Sequence, residues 1–147
     1  MTKLPVAILG ATGTVGQKFI ALLAEHPWFE IVQLAASAAR DGKRFGDEVR
    51  WRELTPLPDH IAEMRLTTVA PMAGVRIAFS ALDASVAREV EPAFAAAGVF
   101  VVSNASAFRM ADDVPLLIPE VNADHLALLA RQRRERGWTG AIVVNPN

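Results

Sequence analysis

Apolar and polar residues are arranged in blocks along the chain. Short, nearly uninterrupted apolar runs alternate with stretches in which apolar residues recur every three or four positions. That alternation predicts strands joined by helices, an α/β domain on a mainly parallel sheet with helices on both faces. Residues 5–10 (PVAILG) are short, partly β-branched and end on glycine, as a buried strand does. Over 14–25, Val15, Phe19, Leu22 and Leu23 fall at helical spacing, and His26-Pro27 closes the run. Residues 30–37 (EIVQLAAS) predict the second strand, whereas 38–65, rich in Arg, Gly and Pro, predict loops with little fixed structure.

In the second half, 66–69 predict a short strand and 75–82 (VRIAFSAL) a firmer one. An alanine-rich helix is expected over 84–97, kinked or restarted by Pro92, which has no N–H to donate. Residues 99–103 (VFVVS) form another buried strand after the turn at Gly98. A helix is expected over 123–136, with Leu126, Leu128 and Leu129 on its apolar side and Gly137 as its stop. Residues 141–145 (AIVVN) make the last strand, and no repeat or low-complexity linker interrupts the series.

The loop between the first strand and the first helix reads Gly10-Ala11-Thr12-Gly13-Thr14-Val15-Gly16. In that context a glycine-rich turn points to dinucleotide binding on a Rossmann-like fold, although the spacing is G-x-x-G-x-x-G. Gly10 allows the tight turn, Gly13 removes a Cβ that would block a pyrophosphate, and Gly16 lets helix and strand pack closely. The N–H groups of the first helical turn then face the phosphates. NAD-specific sites place a carboxylate at the end of the second strand, but here Ser37 is followed by Ala38, Ala39 and Arg40, with Lys43 beyond. A hydroxyl and a guanidinium suit a 2′-phosphate, so NADP is the expected cofactor. The competing reading is a solvated basic loop.

Composition then limits the chemistry. The 147 residues hold one domain, and a hydrophobic share of 52% against 21% charged supports a packed core. A net charge of −1 gives no field for nucleic acid or an anionic membrane surface. Apolar runs are too short for a spanning helix and the N-terminus lacks a signal-peptide core, so a cytoplasmic protein is expected. There is no cysteine and no tyrosine, hence no disulfide, thiolate metal site, thiol nucleophile or phenolic acid. His26, His60 and His125 have no metal-ligand spacing and predict surface or capping roles. Arg131, Arg133, Arg134 and Arg136 predict a solvated helix face.

GATGTVGQ, ASAARDGK, FSAL, VVSNASAFRM, PLLIPEVN and the terminal VVNPN, in this order, resemble the N-terminal half of the aspartate-β-semialdehyde dehydrogenase family, in its archaeal and fungal form. The resemblance implies a phosphorylating aldehyde dehydrogenase that interconverts aspartyl-β-phosphate and aspartate β-semialdehyde, with NADP and phosphate, on the way to lysine, threonine and methionine. It implies a homo-oligomer with small-molecule substrates and a second domain. By resemblance Gly10, Thr12, Gly13, Thr14, Val15 and Gly16 cradle the pyrophosphate and Ser37 and Arg40 hold the 2′-phosphate. Ser80, Ala81 and Leu82 line the path to the nicotinamide, Asn104 sits beside the ring, and Arg109 grips the substrate phosphate. Arg109 could instead pair with Asp112 or Asp113. The family's catalytic cysteine would follow Asn147 directly, so residues 1–147 are expected to be the cofactor half, inactive alone. N-acetyl-γ-glutamyl-phosphate reductase and malonyl-coenzyme A reductase are the related alternatives. A non-catalytic NADP sensor is the alternative from another class, since it would need neither cysteine nor tyrosine.

Overall fold

In the computed structural model, which describes residues 1–146, six strands form one sheet with the spatial order β3-β2-β1-β4-β5-β6. They are β1 (Leu4–Leu9), β2 (Phe29–Ala35), β3 (Leu66–Thr67), β4 (Ile77–Ser80), β5 (Phe100–Ser103) and β6 (Ala141–Val144), and every neighbouring pair is parallel. The helices are α1 (Thr14–Leu23), α2 (Phe45–Glu48), α3 (Asp59–Ala62), α4 (Ala84–Ala96), α5 (Pro119–Asn122) and α6 (Leu128–Arg136). The expected α/β architecture is therefore present, with a sheet that is parallel throughout.

Parallel strands read as continuous apolar runs because both faces of the sheet are covered. Along β1, Val6 and Ile8 point into one core with Ile20 and Leu23 of α1, while Ala7 and Leu9 point into another with Phe94 and Ala95 of α4. Full burial of a side chain such as Ile20 or Phe94 contributes about 1.5–3 kcal/mol. Register brings Thr67, Ala35, Leu9, Ser80, Ser103 and Val144 into one row across the carboxyl ends of the strands.

Three expectations need correction. Residues 38–65 are not structureless. A 3-10 turn (Ala38–Arg40), α2 and α3 bury Phe45 and Ile61, and Phe45 N–H donates to Met64 O at 2.8 Å. Arg44 also bridges Asp47 and Glu63 at 2.7 and 2.5 Å. Secondly, of the two outcomes expected at Pro92 the restart does not occur, since α4 is one helix from Ala84 to Ala96. Arg88, whose carbonyl loses its N–H partner, is on the exposed side, where water can serve it. Thirdly, the helix expected over 123–136 begins as a 3-10 segment (Ala123–Ala127), and Leu126 is exposed. The side chain that α6 buries is Gln132, whose amide donates to Asp113 O and Ile142 O and accepts from Ile142 N–H at 2.8–3.0 Å. Gly137 does end α6, at φ 69°. No helix among the described residues is long and apolar enough to cross a membrane.

Candidate cofactor cleft

From β1 the chain builds outward through β2 and β3 on one side and through β4, β5 and β6 on the other. In such a sheet the ligand crevice opens beyond the carboxyl ends of the strands, where the order reverses. A cavity of about 350 Å³ lies there. Gly10, Thr12 and Gly13 line it after β1, Ser37 and Arg40 after β2, and Ala81 and Leu82 after β4. Ala36, Val69, Asp83 and Val86 complete the wall and were not singled out from the sequence.

The three loop glycines have different jobs. Gly10 has φ 81°, and a Cβ there would lie 2.7 Å from Ala81 O. A Cβ on Gly16 would lie 2.1 Å from Gly10 O, so α1 can approach β1 only without one. Gly13 is extended, and a Cβ on it would meet nothing nearer than Gly10 O at 3.5 Å, an ordinary contact. The fold therefore requires Gly10 and Gly16 but not Gly13, and Gly13 is the one whose missing side chain leaves room in the cavity. It is also the N-cap of α1, with no side-chain cap and no acid in the first turn. Thr14, Val15 and Gly16 thus open the helix without a capping partner, which fits a pyrophosphate drawn to free N–H groups and the positive helix end.

At the far end, Ser37 is exposed and Arg40 closes the 3-10 turn. Arg40 Nη1 donates to Glu48 O at 3.3 Å, and its Nε lies 3.9 Å from Glu48 Oε2. Lys43 Nζ is 3.7 Å from the other oxygen of the same carboxylate. These contacts are long and partly exposed, worth about 0–1 kcal/mol, so a phosphate can compete for the guanidinium.

Ser80 does not line the cavity. It is fully buried and turned towards Glu91 of α4, which is fully buried too. Ser103 Oγ donates to Glu91 Oε1 at 2.6 Å, whereas Ser80 Oγ and Glu91 Oε2 lie near each other without a bond of good geometry. Burial pushes the Glu91 carboxyl above the ordinary range, against the smaller, opposing effect of the two hydroxyls. Asn104 follows Ser103 at the edge of the sheet. Its N–H donates to Ser80 O at 2.9 Å and its Oδ1 accepts from Asn145 Nδ2 at 2.8 Å.

Arg109 pairs with neither Asp112 nor Asp113. Its Nη2 reaches Asn104 O at 3.5 Å, and its Nε is buried without a partner among the described residues. Asp113 is instead held by Arg136, whose Nε and Nη2 both donate to its carboxylate, the latter at 2.8 Å. Arg136 also lies over Phe108 and Trp138, 5.6 and 5.0 Å from the ring centres. It is therefore not part of a solvated arginine face, and it fixes the segment that carries Arg109. Arg131, by contrast, makes an exposed bridge to Glu135. His26 Nδ1 accepts from Trp28 N–H, and His125 Nδ1 bonds Asn122 Nδ2. Gln17 was missed: from the buried face of α1 it donates to Thr12 O and Arg50 O and accepts from Arg52 N–H. Its signal was the polar residue that ends GATGTVGQ. Asn147, beside which the nucleophile was expected, lies outside the described residues.

A parallel sheet of this order, with a glycine loop and an uncapped helix at its reversal point, defines the class of doubly wound, dinucleotide-binding domains. The chain belongs to the family described as "Semialdehyde dehydrogenase, NAD binding domain", which matches residues 5–129. It is 55% identical over 143 residues to an aspartate-semialdehyde dehydrogenase of Archaeoglobus fulgidus, covering 97% of this chain and 42% of the relative. The corresponding protein of Methanothermobacter thermautotrophicus is 51% identical, with 97% and 41% covered. A crystal structure of aspartate semialdehyde dehydrogenase with NADP from Candida albicans superposes with a TM-score of 0.89 at 37% identity, over 99% of this chain and 43% of that one. The chain spans about two-fifths of the length of these relatives.

Proposed function

We propose that residues 1–147 form the NADP-binding domain of an aspartate-semialdehyde dehydrogenase. The reaction converts L-aspartate 4-semialdehyde, phosphate and NADP to 4-aspartyl phosphate and NADPH, and runs in reverse in amino-acid biosynthesis. The observation that carries the reading is the cleft itself. Ser37 and Arg40 stand at one end of a cavity whose middle is kept open by Gly13. The names of relatives at 55% and 51% identity favour this substrate over N-acetyl-γ-glutamyl phosphate or malonyl-coenzyme A. They also favour an enzyme over a nucleotide sensor.

When bound, the nicotinamide supplies the two-electron acceptor. This chain's part is to bind and orient: the α1 N-terminus takes the pyrophosphate, Ser37 and Arg40 the 2′-phosphate, and Ala81 and Leu82 pack along the path to the ring. Asn104 lies beside the ring and Arg109 takes the substrate phosphate, its buried Nε having no partner among the described residues and so a donor to spare for an anion. With no cysteine in its 147 residues, the chain leaves acyl transfer to the rest of the enzyme. A homo-oligomeric, cytoplasmic enzyme with small-molecule substrates completes the reading.

The test is a side-by-side titration with NADP and NAD. NADP should bind at least about tenfold more tightly. Arg40→Ala should erase most of that difference, since a charge-assisted bond to phosphate is worth about 1.5–3 kcal/mol. Equal affinities in the unaltered chain would remove Ser37 and Arg40 from the site.

A further inference from the structure

Glu91 lies on α4, away from the cavity, buried and, among the described residues, without a cation beside it. Packing does not explain it, because an apolar side chain would fill the same space without taking a carboxyl out of water. What the carboxyl does is hold a hydroxyl. Ser103 Oγ donates to Glu91 Oε1 at 2.6 Å and so turns its lone pairs towards Ala105 N–H, which donates to it at 3.1 Å. The turn Ser103-Asn104-Ala105 is thereby fixed on both sides of Asn104.

The same turn is tied to its neighbours. Asn104 N–H donates to Ser80 O, and Asn145 N–H donates to Ser103 O at 3.0 Å. Asn145 Nδ2 then occupies Asn104 Oδ1. In this arrangement the Asn104 oxygen accepts from Asn145, and its Nδ2 donors have no partner among the described residues. Asn104 follows β5, three strands from β2, whose exit carries Ser37. At about 4.8 Å per strand the two positions are about 14 Å apart along the carboxyl ends of the strands, Ser37 in the wall of the cavity and Asn104 beyond it.

We propose that Glu91 is a positioning residue that, through Ser103, holds the Asn104 amide with its Nδ2 donors presented to the carboxamide oxygen of a bound nicotinamide. This rests on the NADP reading above, and deepens it by assigning the ring end of the cleft to a group that never touches the ligand.

The experiment compares NADP with 2′,5′-ADP, which carries the adenosine and both of its phosphates but no nicotinamide. Calorimetry is run on the intact gene product that carries these residues. In Glu91→Leu, affinity for 2′,5′-ADP should be unchanged while affinity for NADP falls about tenfold, the scale of one lost hydrogen bond with its partner displaced. Glu91→Gln keeps an oxygen that can accept from Ser103, and should restore NADP binding to within about twofold. Should Glu91→Leu fail to fold, Ser103→Ala must give the same split between the two ligands. Equal weakening of both ligands, no weakening of either, or failure of the glutamine variant to rescue would overturn the assignment. Should the unaltered protein bind neither ligand, the NADP reading falls first, and this inference with it.

Discussion

Replacing Gly13 and Gly16 by alanine, one at a time, should separate what the fold needs from what the ligand needs. Gly13 has φ −77° and ψ 168°, which alanine adopts freely, and its new Cβ would make one ordinary contact at 3.5 Å. The unfolded chain loses freedom, which favours alanine by about 0.4–1 kcal/mol, but alanine is a poorer N-cap than glycine by a similar amount, so Gly13→Ala should leave the stability of the empty protein nearly unchanged. In Gly16→Ala the Cβ would be 2.1 Å from Gly10 O and 3.0 Å from Ala11 Cα, both backbone atoms that cannot swing aside. The junction of β1 and α1 must open, at a cost of about 1–3 kcal/mol.

Binding should order the variants differently. On the proposed placement of the cofactor the Gly13 methyl takes the space kept for the pyrophosphate, and a tenfold loss of affinity is about 1.4 kcal/mol. At a ligand concentration of about 100 times the Kd, the unaltered protein gains about 2.7 kcal/mol, and a variant with tenfold weaker binding about 1.4 kcal/mol. Thermal unfolding with and without NADP should therefore separate the two needs: Gly13→Ala melts with the unaltered protein when empty and below it when NADP is present. A Gly13→Ala variant that keeps its full ligand shift would refute the placement of the pyrophosphate over Gly13. A Gly16→Ala variant as stable as the parent would refute the close approach of α1 to β1.

Two further outcomes follow from the buried polar groups. Gln132→Leu strands Asp113 O, Ile142 O and Ile142 N–H, and should lower the stability by about 3 kcal/mol, read as a shift of the urea midpoint at constant slope. Hydrogen bonds from Arg136 hold the Asp113 carboxyl below its ordinary value of 3.8, so the native state binds that proton less readily than the unfolded chain does. The stability this provides is present above pH 3.8 and lost as the pH falls through the lower native value; Asp113→Asn should flatten the urea midpoint against pH in that acid range, and an unchanged slope would place the acid sensitivity elsewhere.

How much of this was legible depends on what a one-dimensional pattern can carry. Strand and helix positions were, because a parallel sheet covered on both faces demands apolar runs and the covering helices demand a 3.6-residue period. Gly10 to Gly16 were legible for the same reason: the loop falls between a strand and a helix and can be read in place. Residues 38–65 were not, since Phe45 and Ile61 are single apolar residues in short turns with no period to reveal them. Leu126 misled because a 3-10 segment turns its side chains out of step with the helix that follows.

The buried polar residues show the deeper limit. Gln17 on α1, Glu91 on α4 and Gln132 on α6 each stand on a buried helix face, and each breaks the apolar pattern by one residue. Read by hydropathy alone, such residues are noise. In three dimensions they share a job: Gln17 binds the loop backbone after β1, Glu91 the hydroxyl at the end of β5, and Gln132 the segment after Asn104 together with β6. The strands end in a single row, so the segments that follow Leu9, Ser80, Ser103 and Val144 leave the sheet together, where ladder hydrogen bonds stop. Backbone groups just past a strand still need partners when they are buried. In this chain Gln17 meets part of that need after β1, at Thr12 O, while Gln132 serves the open edge of β6 at Ile142. A ligand-binding edge built this way is held from below, and the face towards the ligand is left free for glycine, serine and amide groups.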